Sequence, residues 1–351
     1  MGKLIFYFSL VVPLSASSIY WSSPSASPTS LGLDSVLSLN DSGVAVGYAG
    51  GHAAEVSVSS PAEVVSLRVP AFFSEAVAIN DNGQIAGMYQ NRNGYEYAFY
   101  WSPSSGMVPV GTLGGSMSIP TSINDAGQIV GQSVDGSGNL SAFLWSQAAG
   151  ISKIGDGASD IAVAIDNSGE IAYQEDPFPY WNSFGAVGGA SSPSILNLGG
   201  QSSYITAMND SGWVVGTAGG QGFLWTPAGT VNFGASFTPV DINDNGEILG
   251  SYQGRPAVWT AGGGIQFLDL AGYAGVSATA IDNDGQIVGG GTPVPEPSAP
   301  VLFLAGALLM AAGWRRRAAI LAAHLGLSRP PATAEEAPPD ARQPVPPANA
   351  R

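Results

Sequence analysis

Acids dominate the residues of this chain that could do chemistry. Paired carboxylates can run glycoside hydrolysis when one acts as acid and the other as base or nucleophile at a fixed separation. Asp156, Asp160, Glu170, Glu175, Asp176 and Glu247 could supply such a pair. Most of them fall in or beside turns, where solvated acids are the ordinary expectation. Nucleophilic catalysis has less material: there is no cysteine, and His52 is the one histidine of the central region. A triad or a Cys-ligated zinc site therefore has no obvious members. His52-Ala53-Ala54 also aligns with Tyr97-Ala98-Phe99 and Ser141-Ala142-Phe143, so His52 reads as the occupant of a recurring position. The segment Asp241-Ile242-Asn243-Asp244-Asn245-Gly246 offers oxygen atoms at alternate positions, as the first half of a calcium loop does. The twelfth position is Tyr252 rather than a bidentate acid, and the matching positions elsewhere are Ser38, Ala78, Ser122, Ala164, Ala207 and Ala280. A turn is the better reading. On these grounds no catalytic residue, no metal ligand and no cofactor is assigned.

Aromatic residues are the other chemical resource. Exposed rings can stack sugars, but a tryptophan recurring once per unit is read as packing between units. Non-repeating rings, namely Tyr95, Tyr173, Tyr180 and Trp213, are the better surface candidates.

The elements that must position these groups follow a repeat. Leu39-Asn40-Asp41-Ser42-Gly43 returns as Ile79-Asn80-Asp81-Asn82-Gly83, Ile123-Asn124-Asp125-Ala126-Gly127 and Ile165-Asp166-Asn167-Ser168-Gly169. It recurs again as Met208-Asn209-Asp210-Ser211-Gly212, Ile242-Asn243-Asp244-Asn245-Gly246 and Ile281-Asp282-Asn283-Asp284-Gly285. The spacings are 40, 44, 42, 43, 34 and 39 residues. Asn or Asp at the first turn position and Gly at the fourth, with apolar runs on both sides, make a tight β-hairpin. A second glycine follows in six copies, with Tyr173 the exception. Between hairpins lies a second strand, as in Ala98-Phe99-Tyr100-Trp101, Ala142-Phe143-Leu144-Trp145 and Gly222-Phe223-Leu224-Trp225, with weaker copies at Tyr20-Trp21 and Tyr180-Trp181. A period near forty with four strands per unit is the signature of propeller blades. The fold expected is all-β, a β-propeller of seven four-stranded blades. The chain enters the repeat at the Trp strand and leaves it after the last hairpin, so the N-terminal strands should complete the final blade.

Composition and ends supply an address. The 351 residues carry 48 Gly and 25 Pro, which suits many short strands and turns, and a net charge of −15 that argues against a nucleic-acid partner. Lys3, then the apolar run Leu4 to Ala16 ending in small residues, reads as a secretory signal over residues 1–17. The repeat region is assigned to 18–292. Pro295-Glu296-Pro297, the apolar run Val301 to Trp314 and Arg315-Arg316-Arg317 then form a stop-transfer pattern over 293–317, with a transient anchor in the inner membrane. Residues 318–351 are assigned as a disordered extension, in which Ala318 to Leu327 is a second apolar stretch and Ser328 to Arg351 is rich in Pro, Ala and Glu.

Two resemblances attach to these motifs. The order of tripeptide, apolar helix and arginines resembles the PEP-CTERM sorting signal of bacterial surface proteins, with the departure that such signals normally end at the basic cluster. That resemblance implies an exosortase-type membrane protease as partner and Pro295, Glu296, Pro297, Arg315, Arg316 and Arg317 as the sorting motif. The Ala-Phe-Leu-Trp strand alternating with Ile-Asn-Asp-x-Gly resembles the HAF repeats of bacterial extracellular proteins over roughly residues 19–290. PEP-CTERM systems accompany exopolysaccharide production, so the resemblance points to extracellular polysaccharide as a ligand. The function expected is a non-enzymatic repeat protein of the cell surface or extracellular matrix. The alternatives are a secreted glycan-cleaving enzyme with paired carboxylates and a purely structural coat component.

Overall fold

The computed structural model describes residues 17–294 apart from 156–159, 176–183, 191, 197 and 199–201. The signal segment, the sorting segment with its tripeptide and arginines, the extension, and Asp156, Asp176, Tyr180 and Trp181 lie outside the described residues.

Seven antiparallel four-stranded sheets form a ring, a seven-bladed β-propeller. Blades I to VI take residues 35–66, 73–109, 114–153, 161–195, 203–234 and 237–267 in chain order. Blade VII is composite: Tyr273–Ile281 and Ile287–Pro293 pair with Ser17–Trp21 and Thr29–Ser30 from the other end of the chain. Ser17 lies opposite Gly291 and Trp21 opposite Ile287, so the expected closure by the N-terminal strands is what the register shows. Joining the two ends in one sheet removes the open edge that a linear array would expose.

The core sits between blades. Among the described residues seven apolar clusters occur, and each draws on two neighbouring blades. In the third strand of blade II, Phe99 faces blade I while Ala98 and Tyr100 face blade III. Both faces of that strand are covered over its middle, which is why its run from Ala98 to Trp101 is unbroken by polar residues. Tryptophans follow the packing reading: Trp21 and Trp145 are buried, and Trp101, Trp225 and Trp259 are half-buried against junction clusters.

The first strand of every blade carries a β-bulge, as between Val36 and Ser38 or between Pro120 and Ser122. The second glycine of the repeat lies opposite the residue before it: Gly47 pairs with Val36 and Gly131 with Pro120. A Cβ on Gly131 would stand 2.1 Å from the Ile119 carbonyl oxygen, so the bulged strand needs the missing side chain. Tyr173 is the exception that explains itself. It pairs with Ala186, whereas Gly87 and Gly131 pair with Phe99 and Phe143. In blade IV the large ring has moved to the neighbouring strand. Tyr173 is fully buried and donates its hydroxyl to the Gly189 carbonyl at 3.2 Å. Burial raises its hydroxyl pKa to about 12. The expectation that it lies on the surface is corrected: it fills a junction.

Candidate functional site

The Asn-Asp turns converge on one mouth of the central channel. Each first-position side chain caps its own turn through Oδ1, as where Asn40 accepts from the Val44 N–H at 2.9 Å and Asn80 from the Gln84 N–H at 2.8 Å. The turn glycine then adopts positive φ, +70° at Gly43 and +86° at Gly169. The carboxamide end reaches into the next blade. Asn40 donates to the Asn80 carbonyl, Asn80 to that of Asn124, Asn124 to that of Asp166, Asn209 to that of Asn243 and Asn243 to that of Asp282, all within 2.7–3.0 Å.

Second-position residues make a complete circle. The N–H of Asp41 donates to Asp81 Oδ1, that of Asp81 to Asp125, of Asp125 to Asn167, of Asn167 to Asp210, of Asp210 to Asp244, of Asp244 to Asn283, and of Asn283 back to Asp41. The seven bonds span 2.7–3.0 Å. Two carboxamides relieve the crowding of five carboxylates. Asn167 Nδ2 donates to Asp125 and Asp210, and Asn283 Nδ2 donates to Asp41 and Asp244. Asp81, with Asp41 and Asp125 beside it, has its pKa raised by burial first and by those charges after it. Asp210 is raised in the same way, with Asp244 as the leading charge. The mouth encloses about 180 Å³, with aliphatic residues such as Leu39, Ile79 and Ile123 beneath the polar circle. Its chemistry is that of a polar, acidic rim whose side chains already serve as inter-blade struts.

Asp241 belongs to the same bracing. It is half-buried, and its carboxylate accepts from the Ile242 N–H at 2.9 Å and from the Ile281 N–H of blade VII at 2.9 Å. Ser38 and Ser122 serve the matching amides of Ile79 and Ile165. Burial raises the Asp241 pKa to about 6 against those two hydrogen bonds. Glu247 accepts from Asn243 Nδ2 at 2.8 Å within its own turn. Asp160 is buried, Glu170 is half-buried, and His52 is exposed at the start of its strand. Among the described residues, Asp160 precedes the first strand of blade IV, Glu170 stands in the turn of that blade and Glu247 in the turn of blade VI. Trp213 is half-buried and packs with Ile248 and Trp259 in the blade V–VI junction, away from the surface role expected of it.

A second constellation lies at the opposite strand ends of blades I and II. Tyr48 meets Phe73 edge-on with centroids 5.8 Å apart, and Tyr89 meets Tyr97 at 5.8 Å. Phe72 is 87% exposed and Tyr95 49% exposed beside them. The Ser74 N–H donates to the Gly51 carbonyl at 3.1 Å, which ties the two blades together at this rim. Glu75 pairs with Met88 and Glu96 with Gln90, so both acids share one face of blade II. Burial and then the Glu96 charge push the Glu75 pKa up to about 7, and burial raises that of Glu96. Of this group, the sequence reading singled out Tyr95 alone. Glu75 and Glu96 are 21 residues apart on different strands, and only pairing through the intervening strand Ile85–Gln90 puts them on one face.

No curated protein matches the chain in sequence. Among solved structures it is similar to TolB from Acinetobacter baumannii, with 10% identity over 80% of this chain and a TM-score of 0.45. The chain spans 64% of that TolB chain's length. It is also similar to XC5397 of Xanthomonas campestris, described as a gluconolactonase important in glucose secondary metabolic pathways, with 10% identity, 74% of this chain and 85% of that chain covered, and a TM-score of 0.41. Neither likeness reaches the level at which function transfers. Residues 293–317 match the PEP-CTERM protein-sorting motif, which makes this an exported protein sorted to the cell surface by a C-terminal membrane-anchoring signal and processed by exosortase.

Proposed function

We propose that this chain is a non-enzymatic surface propeller of the HAF-repeat kind that binds extracellular polysaccharide at the aromatic rim of blades I and II. The observation that carries this reading is the set of rings at this rim, Tyr48 against Phe73 and Tyr89 against Tyr97 with the exposed Phe72 and Tyr95, while Glu75 and Glu96 lie on the face of blade II opposite Tyr89 and Tyr97. Aromatic faces stack on sugar rings, and carboxylates accept hydrogen bonds from sugar hydroxyls. The net charge of −15 favours a neutral polymer over an anionic one.

A second reading has its own observation. Glu75, raised to about 7, has the character of a general acid, and Glu96 shares its face, as a glycan-cleaving site would require. One experiment separates the two. The full chain is incubated with the producer's own polysaccharide, and bound polymer and new reducing ends are both measured. Binding without product, weakened about tenfold or more by Tyr89→Ala with Tyr97→Ala, supports the first reading. Product release that Glu75→Gln abolishes establishes the second. No binding at all leaves a structural coat role.

A further inference from the structure

The Asn braces between blades are interrupted at two junctions, from blade IV to blade V, where Asp166 stands first in the turn, and from blade VII to blade I, where the first-position residue alone leaves a buried oxygen without a partner among the described residues. At each of five junctions a first-position carboxamide donates to the carbonyl of the next turn. The junction from blade VII to blade I has Asp282 in that place. Its Oδ1 accepts from the Gln286 and Asp284 N–H groups at 2.7 and 3.1 Å, as the Oδ1 of an asparagine would. The other oxygen, Oδ2, therefore occupies the position of the missing donor, facing the turn of Asn40. It is buried and has no hydrogen-bond partner, and the residue is 4% exposed. A buried oxygen opposite a carbonyl oxygen is two acceptors without a proton between them, an arrangement that costs free energy until a proton is supplied.

We propose that Asp282 is a proton-operated latch on the closing seam: its neutral carboxyl donates an O–H to the Asn40 carbonyl and restores the brace that asparagine makes elsewhere. Every charge facing it favours that proton. Asp284 stands in its own turn and Asp41 in the turn of blade I. Blade VI contributes Asn243, which donates to the Asp282 carbonyl and is itself held by Glu247. Tyr20, on the strand Ser17–Trp21, donates to Gln286 Oε1 at 2.8 Å and has its own hydroxyl pKa raised by burial and then by Asp282. The described basic residues Arg68, Arg92, Lys153 and Arg255 are not among the charges acting on Asp282. Burial leads in raising its pKa to about 6, outweighing the two backbone bonds. Because the folded value is raised, the stabilisation is complete below about pH 4 and is lost as pH rises through about 6. The Asp282 turn joins Tyr273–Ile281 to Ile287–Pro293, the half of blade VII that only strand pairing with Ser17–Trp21 holds to the N-terminal end, so a weaker brace there loosens the composite blade.

The test is thermal melting of the full chain between pH 4.5 and 8, wild type against Asp282→Asn. The amide should raise Tm at pH 7.5 by roughly 3–5 °C, and the gain should shrink towards zero near pH 4.5. The difference between the two proteins removes the parallel contributions of Glu75 and Asp241. A lower Tm for the variant at pH 7.5, or a gain independent of pH, overturns the latch. Hydrogen exchange in wild type checks it without a substitution. Amides of Ser17–Trp21 should be better protected at pH 5 than at pH 7.5 after correction for intrinsic exchange, and equal protection refutes the proposal.

Discussion

Trp21 offers the most direct measure of how the ring is closed. It is fully buried in the junction of blades VI and VII, among Leu249, Val258, Leu268, Ile281 and Ile287. Its Nε1 donates to the Asp269 carbonyl at 2.7 Å, which ties the N-terminal strand to the loop after blade VI. A buried tryptophan removes about 200 Å² from water, worth about 5 kcal/mol at 25 cal/mol per Å². Alanine retains part of that area, while a cavity and an unpaired carbonyl add to the cost, so Trp21→Ala should lose about 4 kcal/mol. At about 2 °C per kcal/mol for a domain of this size, Tm should fall by about 8 °C. Trp225→Ala is the comparison, because that ring holds the matching place in blade V but is only half-buried. It should cost about half as much. Unfolding should also be faster in Trp21→Ala, since the seam is the natural place for the sheet to part. A loss below about 1 kcal/mol by calorimetry, or equal losses for the two variants, would refute the argument that the N-terminal strand holds the ring shut.

Two further substitutions probe the turns and the bulges. Asn283→Asp replaces an amide that bridges Asp41 and Asp244 with another carboxylate; Tm should drop by roughly 3 °C at pH 7 in low salt and by less at high ionic strength, which screens the added charge. Gly131→Ala would press a methyl to 2.1 Å from the Ile119 carbonyl oxygen and 2.9 Å from Pro120 Cα, a backbone collision costing more than about 3 kcal/mol. Gly83→Ala meets nothing within 4 Å and carries only the positive-φ penalty of about 1 kcal/mol, so soluble yield and Tm should separate the two.

The seven-bladed count and the closure were legible because each rests on local chemistry repeated at a fixed period. Asn or Asp before Gly makes the same turn wherever it occurs, and strands covered on both faces must be apolar throughout. The phase of the repeat then fixes which strands are left to meet. Long-range pairing decided what the sequence could not show. The second glycine stands in the sequence only as a recurrence, and its role is to admit a bulged inner strand that lies opposite it. Tyr173 breaks the glycine pattern and looks like a surface ring, yet it occupies the volume that Phe99 and Phe143 fill from another strand. The side chains of the Asn-Asp turns look like local caps, and their second bonds run some forty residues away, into a circle that exists only when the ring is closed. Glu75 and Glu96 carry no motif at all; hairpin pairing alone puts them on one face. Periodicity determined the blades. Register and closure decided which polar groups became braces, which rings became core, and which acids met.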